Sequence, residues 1–120
     1  MSGTQRPWPT ELRLAHDKRM LTVAFDSGEN FRLPAEYLRV ESPSAEVQGH
    51  GGDQKKIVPG KREVTIQEIE QVGNYAVRLK FDDGHDTGLY SWDYLHELGA
   101  EFDQKWGAYL AALKIRNLGR

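Results

Sequence analysis

The chain has 120 residues, of which 38% are apolar and 28% charged, with 3 Trp, 5 Tyr and 4 Phe; that is room for one domain with one core and none for a large enzyme architecture. Sixteen Lys and Arg against 18 Asp and Glu give a net charge of -2, so there is no global basic field to hold nucleic acid or an anionic membrane. The absence of cysteine removes disulfides, thiolate zinc sites, cysteine-held iron–sulfur clusters and thiol nucleophiles together.

No apolar run approaches the roughly 18 to 20 residues of a membrane span, and Met1 to Thr10 lacks the charged start and apolar centre of a signal peptide. A soluble cytoplasmic protein is expected, with residues 1–10 loosely ordered. From Glu11 to Phe25, Leu12 and Leu14 and then Leu21, Val23 and Phe25 alternate with polar or small residues around His16-Asp17-Lys18-Arg19. Period-two alternation about a turn predicts a β-hairpin. Asp26 to Asn30 is a second turn, Phe31 and Leu33 a third strand, and Pro34 suits the first position of a short helix through Tyr37 and Leu38. Glu41 to Gly60 has no apolar pattern and is predicted to be a long loop, functional or mobile.

Alternation returns at Val64, Ile66 and Ile69, breaks at Gly73-Asn74 and resumes with Tyr75, Val77, Leu79 and Phe81. This predicts a second hairpin. Asp82 to Asp86 forms the next turn, Gly88-Leu89-Tyr90 a short strand, and Ser91 an N-cap for a helix carrying Trp92, Tyr94, Leu95 and Leu98. Gly99 is expected to separate it from a last amphipathic helix with Phe102, Trp106, Tyr109, Leu110 and Leu113 at spacings of three and four. The halves echo each other: Phe25-Asp26-Ser27-Gly28 matches Phe81-Asp82-Asp83-Gly84, and Leu33 to Leu38 matches Tyr90 to Leu95 one residue later. Two strand-turn-strand-helix units, neither able to bury its apolar face alone, would pack as one α+β domain with small antiparallel sheets.

Asp82-Asp83-Gly84-His85-Asp86 concentrates carboxylates and an imidazole, a grouping suited to a divalent metal or to acid–base work. The same residues also make an ordinary Asp-Gly hairpin turn. They fail the calcium-loop spacing, and adjacent His85 and Asp86 do not give the His-x-Asp spacing of a two-histidine, one-carboxylate iron triad, even with His50 added. His50 lies among glycines that would let the backbone approach a ligand, or simply leave it solvated. His16 and His96 are read as a turn residue and an exposed helix residue. Lys55, Lys56, Lys61 and Arg62 lack the interleaved aromatics of a single-strand binder and are read as a solvated loop. Ser42-Pro43-Ser44 has no base nearby in sequence and no nucleophile elbow, and no phosphate-cradling loop is present.

Leu38 to Glu46 with Gly49-His50, then Val72 to Val77, then Phe81 to Leu95 resemble the gamma-butyrobetaine hydroxylase-like N-terminal domain family over about residues 12 to 98. The resemblance implies a domain over 11–98, with 99–120 a helix packed on it or extending it. Members of that family occur as small standalone bacterial proteins, as the N-terminal domain of 2-oxoglutarate-dependent carnitine-pathway hydroxylases, and fused to iron–sulfur scaffold ATPases. It further implies a zinc module of three cysteines and one histidine in the hydroxylase version; those cysteine positions fall here on Ser42, Ser44 and Val47, and the histidine on His85. Structural zinc is therefore not expected.

The expectation is a non-enzymatic binding or accessory module. It would meet a protein partner in iron–sulfur or oxygenase biology, with Trp92 and Tyr90 near the contact surface and no nucleic acid or membrane. The alternative is a metal-binding protein holding a divalent ion such as iron through His85, Asp83, Asp86 and His50. Open strand edges leave a homodimer conceivable.

Overall fold

The structure is a computed structural model that describes residues 6–49 and 55–120. Its first half is an antiparallel meander, β1 (Pro9–Leu14), β2 (Met20–Phe25) and β3 (Asn30–Pro34), followed by α1 (Ala35–Val40) and a four-residue helix α2 (Ala45–Gln48). The second half repeats the plan with β4 (Ile66–Val72), β5 (Ala76–Phe81) and β6 (Leu89–Ser91), then α3 (Trp92–Ala100) and α4 (Phe102–Ile115). The α+β class and the pair of small antiparallel sheets are as the alternation predicts. Among the described residues no helix is long and apolar enough to cross a membrane.

The repeat extends to backbone detail. Both meanders shift register near the start of their first strand, between Pro9 and Glu11 and between Ile66 and Glu68. Both Asp/Gly turns place glycine in the left-handed region, Gly28 at φ 94° and Gly84 at φ 93°, where a side chain is disfavoured. Both turns close through equivalent bonds, Phe25 N–H to Glu29 O (2.9 Å) and Phe81 N–H to His85 O (3.0 Å).

The two units bury each other's apolar faces. Leu21, Val23, Phe25 and Leu33 of the first sheet share one core with Ile66, Val77, Leu79, Phe81 and Tyr90 of the second, under Tyr37 and Leu38 of α1 and Leu95 and Leu98 of α3. The helices lock reciprocally. Tyr37 Oη donates to Leu98 O (2.7 Å), and Tyr94 Oη donates to Glu41 O (2.5 Å), the same pair of positions exchanged between the halves. A smaller cluster of Val40, Tyr109 and Leu113, with Ile57, Val58 and Trp106, fastens α4 and the returning chain to α1. The last residues are tied to the same place: Arg120 pairs with buried Glu36 through two bonds (2.7 and 3.1 Å) and lies 5.3 Å over the Trp106 ring.

Three details differ from the sequence reading. The loop after Glu41 contains α2, capped by Ser44 Oγ accepting from Glu46 N–H (3.2 Å). Leu110 is 38% exposed although its spacing suggested the buried stripe. Gly99 does not end a helix; α3 runs through it and turns at Glu101. Its role is close packing, because a Cβ there would stand 2.5 Å from Phe31 Cδ2 and 2.7 Å from Cδ1. The Phe31 ring is boxed edge-on by Phe25 at 6.0 Å and His96 at 5.5 Å. Gly99→Ala is therefore expected to destabilise by about 1–2 kcal/mol, overpacking outweighing the gain in helix propensity. Urea melts of Gly99→Ala and of Gly99→Ala with Phe31→Leu check this; recovery in the double variant is the signature of the ring clash.

Candidate functional site

Each Asp/Gly turn packs against the helix of the opposite unit. The first turn meets α3, where His96 Nε2 lies 2.8 Å from Glu29 Oε1 and the imidazole stands edge-on to Phe25 and Phe31. His96 is thus a packing residue rather than a solvated one. The second turn, which carries the candidate chemistry, meets the α1–α2 corner.

There the carboxylates serve the turn first. Asp82 Oδ1 accepts from Thr65 N–H (3.0 Å), and Asp83 Oδ1 accepts from His85 N–H (3.1 Å). The other Asp83 oxygen is shared by Arg39 Nε (2.8 Å) and Lys61 Nζ (2.6 Å). Burial pulls the Asp83 carboxyl upward, but Lys61, the His85 amide and Arg39 outweigh it and hold the pKa at about 2. Asp86 is exposed, with no hydrogen bond or ion pair among the described residues. His50 lies outside the described residues.

His85 is buried, 6% exposed, and bridges three elements. Its Nε2 is 2.8 Å from Ser42 Oγ and its Nδ1 is 3.0 Å from Glu46 Oε1. Burial, and then the charge of Arg39, push its pKa below the ordinary value against the opposing pull of Glu46 and Asp83. A neutral ring fits both contacts, with Nδ1–H donating to Glu46 and Nε2 accepting the Ser42 hydroxyl proton. One bond further along, Ser44 Oγ meets Thr87 Oγ1 at 2.8 Å, so the corner and the turn are zipped side chain to side chain.

Sequence reasoning missed this partner set. The base absent from the neighbourhood of Ser42 in sequence is His85, supplied by the other unit. Serine, imidazole and carboxylate in line are the arrangement of an activated nucleophile. Ser42, however, is 0% exposed; its Oγ also accepts from Ser44 N–H (3.2 Å) and lies where a Cβ on Gly88 would come within 2.5 Å. A substrate has no way to reach that oxygen, and the chain of bonds acts as a buried clasp.

The donor set does not fit the zinc module that the family resemblance implies for the hydroxylase version. Ser42 and Ser44 offer hydroxyls already engaged, Val47 offers methyls, and His85 has both nitrogens occupied. Among the described residues no three His, Cys, Asp or Glu side chains converge as a metal-binding group.

The two aromatic residues expected near a contact surface part company. Tyr90 is fully buried, and its hydroxyl donates to Leu38 O (2.5 Å); it carries α1 from within. Trp92 is 9% exposed, donates through Nε1 to Asn74 O (2.8 Å), and stands edge-on to Trp8 at 6.4 Å. Trp8 is 50% and Tyr75 55% exposed. Two clefts of about 370 Å³ each flank this pair, one lined by Leu12, Ile69, Val77 and Trp92, the other by Pro7, Tyr75 and Trp92. β1 and β4 border the first, each paired on one side only.

A third cleft of about 370 Å³ lies between α1, α4 and the chain returning from the loop, lined by Val40, Glu41, Ile57 and Tyr109 among others. Lys55 Nζ pairs there with buried Glu41 (2.5 Å). Tyr109 donates to Val58 O (2.7 Å), and burial raises its hydroxyl to about 12, so it stays a donor.

A search of curated proteins gives no match. Three solved structures resemble the chain throughout or over most of its length. Two are NMR solution structures: one is 47% identical, covering 100% of this chain and 89% of the other with a TM-score of 0.83, and the second is 44% identical, covering 97% and 91% with a TM-score of 0.84. The third is the crystal structure of a protein of unknown function of the DUF971 family from Acidithiobacillus ferrooxidans, 42% identical over 78% of this chain and 93% of the other, with a TM-score of 0.65. A family description, gamma-butyrobetaine hydroxylase-like, N-terminal, matches residues 12–96. Running from within β1 to the middle of α3 and so covering well over half of the sequence, that match means the chain belongs to the gamma-butyrobetaine hydroxylase-like N-terminal domain family.

Proposed function

We propose that the chain is a non-enzymatic accessory module that docks a partner protein through the aromatic groove between β1 and β4. The observation that carries this reading is the pair of half-exposed rings, Trp8 and Tyr75, beside clefts floored by Trp92. Solvent-exposed aromatics beside an apolar groove are the usual composition of a contact centre. Its occupant is an extended segment of the partner, because β1 and β4 each have one unpaired edge whose N–H and C=O groups suit strand addition. The family's description as an N-terminal region of hydroxylase-like proteins supports an accessory place beside an enzyme of oxygenase type. An iron–sulfur setting rests on the family resemblance alone.

The metal reading, through His85, Asp83, Asp86 and His50, has less behind it. His85 would have to leave both Ser42 and Glu46, and Asp83 both of its cations.

A photo-crosslinking residue at Tyr75, used in the cells that encode the chain, is expected to give a discrete heterologous adduct. Trp8→Ala should cut its yield about tenfold, the ordinary effect of truncating an aromatic contact centre, with far-UV circular dichroism unchanged. An equal yield from a crosslinker at Glu63, or an adduct between two copies of the chain only, would overturn the assignment.

A further inference from the structure

The net charge of -2 conceals a separation. Residues 55–62 and 104–120 hold eight of the sixteen Lys and Arg and no Asp or Glu. The fold lays these two segments side by side: Gly60 N–H bonds Gly119 O (3.1 Å), and Tyr109 Oη bonds Val58 O (2.7 Å). Half of the eight are neutralised by carboxylates arriving from elsewhere, Lys55 by Glu41, Lys61 by Asp83, Lys105 by Glu97 and Glu101, and Arg120 by Glu36. Lys56, Arg62, Lys114 and Arg116 have no carboxylate within ion-pair distance among the described residues. Elsewhere in the described chain only Lys18 and Arg32 are in that position, so the unpaired positive charge is concentrated on these two segments, with Arg62 and Lys114 lining one cleft between them.

That cleft also has an apolar lining. Leu110 is 38% and Leu118 41% exposed, and the shallow cleft of about 530 Å³ between Arg62, Lys114 and Arg120 has Leu110, Leu113 and Leu118 in its lining. Unpaired cations beside recessed leucines match a ligand that alternates carboxylates with apolar side chains.

We propose that this cleft, at the C-terminal end of α4, binds an acidic amphipathic polypeptide segment. Its carboxylates would meet Arg62 and Lys114 in the lining and Arg116 just outside it, next to Asn117, and its apolar side chains would cover Leu110 and Leu118. The inference rests on the chain being a protein-binding module but uses a different face from the aromatic groove. Nucleic acid fits the face less well, because no ring is offered for stacking: Tyr109 is 5% exposed, and the Arg120 guanidinium covers Trp106. A bilayer fits less well because three of the eight lining residues, Arg62, Lys114 and Arg120, are charged and interrupt the leucines, whereas an interfacial anchor presents a continuous apolar face.

The test titrates the full chain into a fluorescein-labelled 15-residue peptide with Glu at most positions and Leu at every third or fourth, read by anisotropy. Saturable binding is expected, weakening about tenfold between 50 and 300 mM salt as screening of an exposed charged contact requires. Lys114→Glu with Arg116→Glu should weaken it by about tenfold or more by like-charge repulsion, and Leu110→Ser should weaken it without changing the salt slope. Trp8→Ala serves as the control that leaves it unchanged, so the failure of one face is distinguishable from the failure of the other. Unchanged thermal melting in each variant excludes misfolding. No saturation with the chain at about 1 mM in low salt, equal or tighter binding of a poly-dT oligonucleotide or of phosphatidylserine vesicles, or an unaffected charge-reversal variant each overturns the proposal.

Discussion

Replacing Tyr37 with alanine is expected to remove about 3–5 kcal/mol of stability, a large part of the 5–15 kcal/mol ordinary for a domain. The residue is fully buried at the junction of both units. Its ring stands edge-on to Phe102 at 4.8 Å and Trp106 at 6.1 Å, and its hydroxyl donates to Leu98 O at 2.7 Å. Burial pushes the hydroxyl's pKa well upward, so it remains a proton donor across the physiological range. Tyr37→Phe separates the two contributions: it keeps the ring, leaves the Leu98 carbonyl without this donor, and should cost only about 1 kcal/mol. Tyr94→Phe, its counterpart on Glu41 O, should cost a similar amount. Urea denaturation of the three variants checks this. Equal losses for Tyr37→Ala and Tyr37→Phe would place the stability in the hydroxyl and contradict the packing account.

That junction also shows how far the sequence is readable. Alternation marked Leu21, Val23 and Phe25 and then Val77, Leu79 and Phe81 as inward-facing, because one buried sheet face imposes a period of two. Repetition of the Asp/Gly turns signalled two equal units. What neither pattern contains is that each turn packs on the other unit's helix, since that is decided by which faces the assembled units can bury. Hence Gly99 looks like a helix break, although its missing side chain makes room for Phe31 from the other half. Tyr90 looks like a surface aromatic in a short strand, although that strand is roofed by α1. The partners of His85 lie 43 and 39 positions earlier, at Ser42 and Glu46, beyond any local motif. One local signal for α2 was available: Ser44 two residues before Glu46 at the start of a short helix is an ordinary N-cap.

Removing the imidazole by His85→Ala is expected to cost about 2–3 kcal/mol, because it opens a cavity and takes from buried Ser42 Oγ one of its partners. The pH dependence distinguishes this clasp from a generic core contact. The folded ring has a pKa below the ordinary 6.5, so as the pH falls through 6.5 the unfolded chain takes up a proton that the folded chain refuses. Stability therefore decreases with acidification from about pH 6.5 until the folded ring itself titrates, and levels off below that point. His85→Ala should lack this portion of the curve. Asp83 acts in a separate window: held at about 2 against an ordinary 3.8, its carboxylate contributes stability above the ordinary value that is lost between about pH 4 and 2. Melting temperatures of the native chain, His85→Ala and Asp83→Asn from about pH 8 to about pH 2 separate the two contributions. The same series discriminates against a resident divalent ion. An ion on neutral His85 would raise the melting temperature of the native chain, in a concentration-dependent way, when iron(II) or zinc is added at pH 7, and His85→Ala would abolish that rise. A clasp satisfied by Ser42 and Glu46 gives no such rise, because opening it to a metal sacrifices two hydrogen bonds.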